Sequence, residues 1–138
     1  EWNDLPINGK NAVEGAKAGR AAAKQGKFQE FMDQLYTASK DKQGHPGYKI
    51  EDFVKFAEAA GVPDIEKFRK DATSKEFDKP VNEARQYGTS IGVSGTPAFV
   101  VGTKFVSGAQ PWDVFKRVID EELERVASGE VPAPAKQS

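Results

Sequence analysis

Few side chains in this sequence could carry out nucleophilic or metal chemistry. The 138 residues include no cysteine and one histidine. The lack of cysteine excludes disulfides, thiol nucleophiles and thiolate metal sites within these residues. Any histidine-dependent triad or metal site would need His45, which lies in the sequence Gly44-His45-Pro46-Gly47. This context is typical of an exposed loop, and we expect His45 to have no catalytic role.

Two clusters of charged residues are further candidates for a site. Between Asp113 and Glu124 the acidic residues alternate with Lys116 and Arg117, which is typical of the solvated face of an amphipathic helix. We therefore expect no metal and no cofactor there. A basic cluster near the start of the chain comprises Lys10, Lys17, Arg20, Lys24 and Lys27. It indicates a solvated helix face, with a surface for an acidic partner as the alternative.

Composition limits the partners of the chain. Lysine and arginine number 20 against 21 aspartate and glutamate residues, so the formal net charge is -1. Without a basic excess, nucleic acid is not an expected partner. The apolar runs are only a few residues long, whereas a span of the bilayer needs about 20. A chain of this length is one ordinary domain.

Apolar residues recur at helical spacing in five segments before any complete strand. The five helices are predicted to start near Asn11, Phe28, Ile50, Ile65 and Glu76. Asp64 is the predicted N-cap of the fourth helix. The second has the clearest stripe, formed by Phe28, Phe31, Met32, Leu35 and Tyr36. Before them, Trp2 and Leu5 alternate with polar residues, which predicts the end of a strand over residues 1–6.

At Gly92 the helical spacing of apolar residues gives way to a pattern that is typical of short strands. Residues 96–101 form a short apolar run, Gly102-Thr103 is a turn signal, and residues 104–107 complete a predicted hairpin. Pro111 suits the first position of a final helix. Its predicted apolar face comprises Phe115, Val118, Ile119, Leu123 and Val126. The Pro/Ala-rich residues 130–138 predict a flexible tail.

The residues around the hairpin also carry a family resemblance. The segment VSGTPAFVVG (93–102), followed by KFVSGAQ (104–110), closely resembles the second half of the DsbA-like thioredoxin-fold oxidoreductases. Upstream, AAAKQGKF (21–28) resembles the start of that family's helical insertion, and residues 1–6 resemble the strand before it. The resemblance covers the chain except its tail.

This resemblance implies an α/β, thioredoxin-like fold of the DsbA type over residues 1–129. The helical insertion would occupy about residues 11–91, and the hairpin and last helix about residues 96–128. In that family the proline that precedes this hairpin follows a cis peptide bond, which corresponds here to Thr96-Pro97. A cis bond there would turn the backbone of Thr96 outward to pair with an extended peptide. The implied substrate-binding residues are Gly95, Thr96 and Pro97; the alternative is a turn that merely starts a strand.

Family members also carry a Cys-x-x-Cys motif after a central first strand, and this sequence has neither. The resemblance implies that the central strand and the cysteine helix lie before Glu1, so that the catalytic cysteines are outside this chain. An N-terminal segment or a second copy would then complete the sheet.

Three functions compete at this point. The first is part of an extracytoplasmic thiol-disulfide oxidoreductase, in the periplasm, the cell envelope or secreted, with a membrane anchor in the segment before Glu1 as a further alternative. It would act on unfolded or extended client polypeptides and have a membrane redox partner. The second is a cysteine-free, thioredoxin-fold peptide-binding or chaperone-like module. A glutathione transferase-like fold is the third, but its helices follow the hairpin instead of preceding it.

Overall fold

A computed structural model of the chain describes residues 2–44 and 46–130. The chain divides into two compact units, Glu1–Ile91 and Gly92–Ser138. The residues of each unit contact mainly other residues of the same unit. The predicted loop role of His45, and the tail predicted at 130–138 apart from Glu130, lie outside the described residues.

The first unit contains all five predicted helices. They are α1 (Lys10–Ala23), α2 (Phe28–Ser39), α3 (Ile50–Ala59), α4 (Ile65–Thr73) and α5 (Asp78–Ser90). The turn between α1 and α2 places Gly26 at φ +71°, a region that glycine enters without steric cost. Asp64 caps α4 as the sequence predicts, because its side chain accepts a 2.8 Å hydrogen bond from the backbone N–H of Lys67.

Helix α5 starts two residues later than the sequence predicts, and the position of Pro80 explains the difference. With Asp78 as the first helical residue, Pro80 is the third. The first four N–H groups of a helix have no intrahelical partner, so a proline there removes no hydrogen bond. The helix ends at Ser90, beyond the end near Tyr87 that its apolar spacing predicts.

Aromatic rings form the core of the first unit. The ring of Phe31 lies 5.6 Å from that of Phe68 and 6.4 Å from that of Phe53, measured between centroids. Phe31 and Phe68 are fully buried. Helix α1 packs closely against α2, since a Cβ added to Gly19 would already be in van der Waals contact with the ring of Phe28, at 3.4 Å. Tyr36, predicted to belong to the buried stripe of α2, is exposed.

The strand predicted near the start of the chain is not observed. Residues 2–7 have no regular secondary structure, and the paired strands among the described residues are those of the hairpin. Side-chain contacts hold this segment instead. Asp4 accepts hydrogen bonds from Trp2 Nε1 at 3.1 Å and from Arg20 Nε at 2.6 Å. The prediction was wrong because a strand also needs a neighbouring backbone to pair with.

A buried carboxylate links the helices of the first unit. Asp71 on α4 accepts a 2.5 Å hydrogen bond from Lys67 Nζ, and Nζ of Lys24, the residue after α1, lies 3.3 Å from the same oxygen. Lys24 also donates to both oxygens of Glu76 at 2.9 Å. The hydrogen bond from Lys67, followed by the contact with Lys24, lowers the pKa of Asp71 below its ordinary value.

This network predicts an acid-dependent loss of stability. Because folding lowers the pKa of Asp71, its charge stabilises the folded state above the ordinary pKa of 3.8, and that stabilisation is lost as the pH falls through the lower folded value. We expect Asp71→Asn to be less stable than wild type at neutral pH and to lose less stability on acidification. Urea unfolding across this pH range measures both. The control is Asp33→Asn, which removes an exposed carboxylate and should parallel wild type; parallel curves for Asp71→Asn would contradict the assignment.

The second unit contains the predicted hairpin and the last helix, α6 (Trp112–Ala127). Strands β1 (Ala98–Val101) and β2 (Lys104–Ser107) pair antiparallel, with Val101 opposite Lys104 and Phe99 opposite Val106. In the two-residue turn, Gly102 has φ +59° and Thr103 a negative φ, the pattern of a type II′ turn. Phe99 packs edge-on against Phe115 of α6, with ring centroids 4.9 Å apart. Pro111 precedes the first residue of α6 by one position.

Neither membrane spans nor metal clusters are found among the described residues. No helix of residues 2–44 and 46–130 combines the length and apolar character needed to cross a bilayer. Within the same ranges, no three histidine, cysteine or acidic side chains converge as metal ligands would.

Candidate functional site

The predicted substrate-binding residues lie together at the entry to β1. Gly95, Thr96 and Pro97 immediately precede Ala98, the first residue of the strand, and all three are exposed. The peptide bond between Thr96 and Pro97 is cis, as the resemblance implied. The tripeptide therefore forms an accessible extension of a regular strand.

The hydrogen-bond pattern shows which backbone groups of this extension are open. The carbonyl of Pro97 accepts a 2.9 Å hydrogen bond from the N–H of Gly108, so the antiparallel pairing continues one residue beyond β1. Alternation along the strand then points the N–H and C=O of Ala98 and Val100 away from β2. The backbone of Thr96 has no hydrogen-bond partner in the part of the chain that the structure describes. An extended peptide could pair along this edge.

One face of the hairpin beside this edge is apolar and exposed. Val100 and Phe105 lie directly opposite each other in the register, on the face that does not carry Phe99. Their exposed fractions are 57% and 50%. The open edge is thus flanked by apolar surface within the second unit.

A buried carboxylate holds the other end of the hairpin. Glu122 of α6 accepts hydrogen bonds at 2.9 Å from both the backbone N–H and the hydroxyl of Thr103. The N–H of Thr103 is the main cause of a lowered pKa for Glu122; the Thr103 hydroxyl, Arg125 and Lys104 act in the same direction against the effect of burial. The turn therefore rests on a charged acceptor.

Sequence reasoning missed Glu122. The apolar pattern of α6 predicts Leu123 on the inner face, but Leu123 is 62% exposed and Glu122 only 5%. One signal was available, because Glu122 follows Phe115 by seven residues and so lies on the same face of the helix. The exposed carboxylates of the cluster, including Asp120 and Glu121, do pair with lysines as a solvated face would.

The basic cluster of the first unit is engaged in ion pairs and does not form an open cationic surface. Each member of the cluster forms an ion pair with a carboxylate, and the pairs are Lys10–Glu14, Lys17–Asp78, Arg20–Asp4, Lys24–Asp71 and Lys27–Glu30. Of these five carboxylates, Glu14 belongs to α1 and the other four belong to other segments of the first unit. An acidic partner would have to compete with them.

Comparison with known proteins identifies a family. The model of the DSBA-like thioredoxin domain matches residues 4–120. Proteins named "Probable disulfide bond formation protein D" from Bacillus cereus and Bacillus anthracis are each 29% identical over 126 residues, which cover 88% of this chain and 56% of theirs. The chain thus spans about half the length of these curated relatives.

Two solved structures share the fold. A periplasmic thioredoxin-like protein from Salmonella enterica serovar Typhimurium superposes with a TM-score of 0.69 at 21% identity, covering 88% of this chain and 64% of that one. The thiol-disulfide exchange protein alpha-DsbA2 from Wolbachia pipientis gives 0.69 at 22% identity, covering 87% and 63%. The α/β, DsbA-type thioredoxin fold expected from the sequence is therefore confirmed. With residues 4–120 matched by the family model, this chain belongs to the DSBA-like thioredoxin domain family.

Proposed function

We propose that this chain is part of an extracytoplasmic thiol-disulfide oxidoreductase that introduces or exchanges disulfides in secreted proteins. The family match over residues 4–120 carries this proposal. The names of the relatives, which refer to disulfide bond formation, support it. The word "periplasmic" in the description of the Salmonella protein supports the location outside the cytoplasm.

Within this proposal, the edge formed by Gly95, Thr96 and Pro97 binds the client. An unfolded or extended polypeptide adds as a strand, because the backbone of Thr96 is exposed and has no partner among the described residues. Main-chain pairing of this kind tolerates many sequences, which suits a protein that acts on many clients.

The thiol chemistry is carried by cysteines outside this chain, since the sequence contains none. A client thiolate attacks one sulfur of their disulfide, a mixed disulfide forms, and the other cysteine leaves as a thiolate. A second client thiolate then attacks the client sulfur of the mixed disulfide. The client leaves with a new disulfide, and the enzyme is left with two reduced cysteines. A membrane redox partner reoxidises them.

The completion of the sheet is a further part of the proposal. Within β1, the outward N–H and C=O groups of Ala98 and Val100, together with the exposed Val100–Phe105 face, suit an additional strand and a covering helix, while Thr96, which precedes β1, stays open to the client. This chain covers 56% of the curated relatives, and an N-terminal segment among the residues that it does not cover would fill this role; a second copy of the chain is the alternative.

The intact mass of the protein made from its natural gene tests the proposal. We expect a product heavier than 15.1 kDa that, after reduction, takes up two groups of a thiol-alkylating reagent. A heavier product without uptake would instead support the cysteine-free peptide-binding or chaperone-like module, which the lack of cysteine in this chain favours. A product of 15.1 kDa would contradict the proposed sheet completion by an N-terminal segment.

Photo-crosslinking tests the client edge. A photoreactive residue at Gly95 should crosslink to a bound unfolded polypeptide, because this position lies beside the open edge. The same residue at Lys55, an exposed position on α3, is the matched control and should crosslink far less. Mass spectrometry of the digested adducts measures both yields, and equal yields would count against a client site at residues 95–97.

A further inference from the structure

Two contacts, made at different positions along α6, hold the hairpin against this helix. Phe115 packs against Phe99 near the start of β1, and Glu122 binds Thr103 in the turn. Phe115 and Glu122 are seven residues apart, so they lie on one face of α6 and about 10 Å apart along its axis. Attachment at two separated points defines a direction, whereas one contact would leave the hairpin free to tilt.

The direction of the hairpin determines how Thr96 is presented. Each strand has only four residues, and the pairing of Pro97 with Gly108 continues the same ladder to the predicted client edge. Movement of the turn relative to α6 would therefore be transmitted along β1. The edge at Thr96 would change its orientation without any change in its own side chains.

We propose that Glu122 is a positioning residue for client binding: by holding the Gly102-Thr103 turn against α6, it fixes the direction in which Thr96 presents its backbone to an extended polypeptide. This inference rests on the proposed function and deepens it. Glu122 does not touch the client in this arrangement.

Among the carboxylates near the turn, Glu122 is the one that accepts hydrogen bonds from Thr103 in the described contacts. Lys104 of β2 and Arg125 of α6 face its carboxylate, and Arg125 Nη1 also donates to the Thr103 hydroxyl at 3.2 Å. The other nearby carboxylates belong to Glu121, which is 3.7 Å from Lys104 Nζ, and Glu130, which is 3.8 Å from Arg125 Nε. Neither accepts a hydrogen bond from Thr103 among the described contacts.

Acidification should therefore loosen the turn. Folding lowers the pKa of Glu122, so its charged form stabilises the attachment above the ordinary value of 4.5. The stabilisation is lost as the pH falls through the lower folded value. A protonated carboxyl accepts hydrogen bonds less strongly than a carboxylate.

The test follows the Thr96 amide and client affinity together in the protein that carries this chain. The NMR resonance of the Thr96 amide is measured from neutral pH to about pH 3, and a peptide without Asp, Glu, His or Cys is titrated at each pH. In wild type we expect the Thr96 resonance to shift and the affinity to fall roughly tenfold on acidification. Glu122→Gln should bind more weakly at neutral pH and show a much flatter profile. Glu121→Gln, which removes the neighbouring exposed carboxylate, should follow wild type.

The outcomes separate this inference from the proposed function. If Glu122 had a structural role alone, Glu122→Gln would have a lower Tm, but its pH profile of affinity would stay parallel to that of wild type and its Thr96 resonance would not move. That result would overturn the inference. If the Thr96 resonance follows Glu122 but wild type binds no peptide at neutral pH, the proposed client site is wrong and the positioning role falls with it. If wild type binds the peptide at neutral pH and Glu122→Gln shows a flatter pH profile of affinity, both the proposed function and this inference are supported.

Discussion

Replacement of Gly102 by alanine should lower the free energy of unfolding of the hairpin unit by about 3 kcal/mol. Gly102 has φ +59°, where a Cβ costs about 1–2 kcal/mol. A Cβ there would also lie 2.9 Å from the Cδ of Glu122 and closer still to its Oε2. The carboxylate would have to move away from Thr103, and a hydrogen bond to a charged group contributes about 1.5–3 kcal/mol.

Hydrogen exchange measures this effect where it arises. The amides of Phe99 and Val106 lie in the paired ladder, so their protection should fall in Gly102→Ala. The matched control is Gly129→Ala in the same unit, where φ is +80° but no atom lies within 4 Å of the added Cβ. It should show only the cost of the backbone conformation. Equal losses in the two variants would mean that the contact with Glu122 contributes nothing.

Replacement of Phe31 by alanine should destabilise the helical unit by about 3–5 kcal/mol. The Phe31 ring is fully buried and lies between the rings of Phe53 and Phe68. Its removal leaves a cavity and loses the transfer free energy of a large apolar side chain. Urea unfolding followed by far-UV circular dichroism measures the loss, since the helices of this unit dominate the signal.

Two further variants keep this prediction testable if Phe31→Ala does not fold. Phe31→Leu retains most of the volume and should cost about 1–1.5 kcal/mol. Tyr36→Ala, on the same helix but at a 56% exposed position, should change stability by no more than about 0.5 kcal/mol. Similar losses for Phe31→Ala and Tyr36→Ala would show that the core does not centre on Phe31.

Much of the fold could be predicted from local pattern. The apolar spacing of residues 28–35 predicted α2, Asp64 predicted the start of α4, and Gly102-Thr103 predicted the hairpin turn. These features depend on residues within one or two turns of each other, so the sequence carries them directly. The segment around Gly95, Thr96 and Pro97 was recognisable for the same reason, and the family model that matches residues 4–120 agrees with that recognition.

Burial of single polar residues could not be predicted in this way. Glu122 and Leu123 are neighbours on α6, and hydrophobicity alone places Leu123 inside. Glu122 is buried because the turn at Thr103 packs against this part of α6 and presents an N–H and a hydroxyl that need a hydrogen-bond acceptor. Asp71 is buried for a comparable reason, since Lys67 of the same helix and Lys24, just after α1, both contact its carboxylate.

The sequence by itself determined the helices, the hairpin, the family and the exclusion of thiol chemistry within these residues, because each of these depends on residue type and short-range spacing. Only the tertiary structure decided that residues 2–7 form no strand, that the basic side chains of α1 are held in ion pairs, and that Glu122 supports the hairpin. These features depend on partners 16 to 61 residues away along the chain. Folding brings such partners together, and no local pattern encodes which of them will meet.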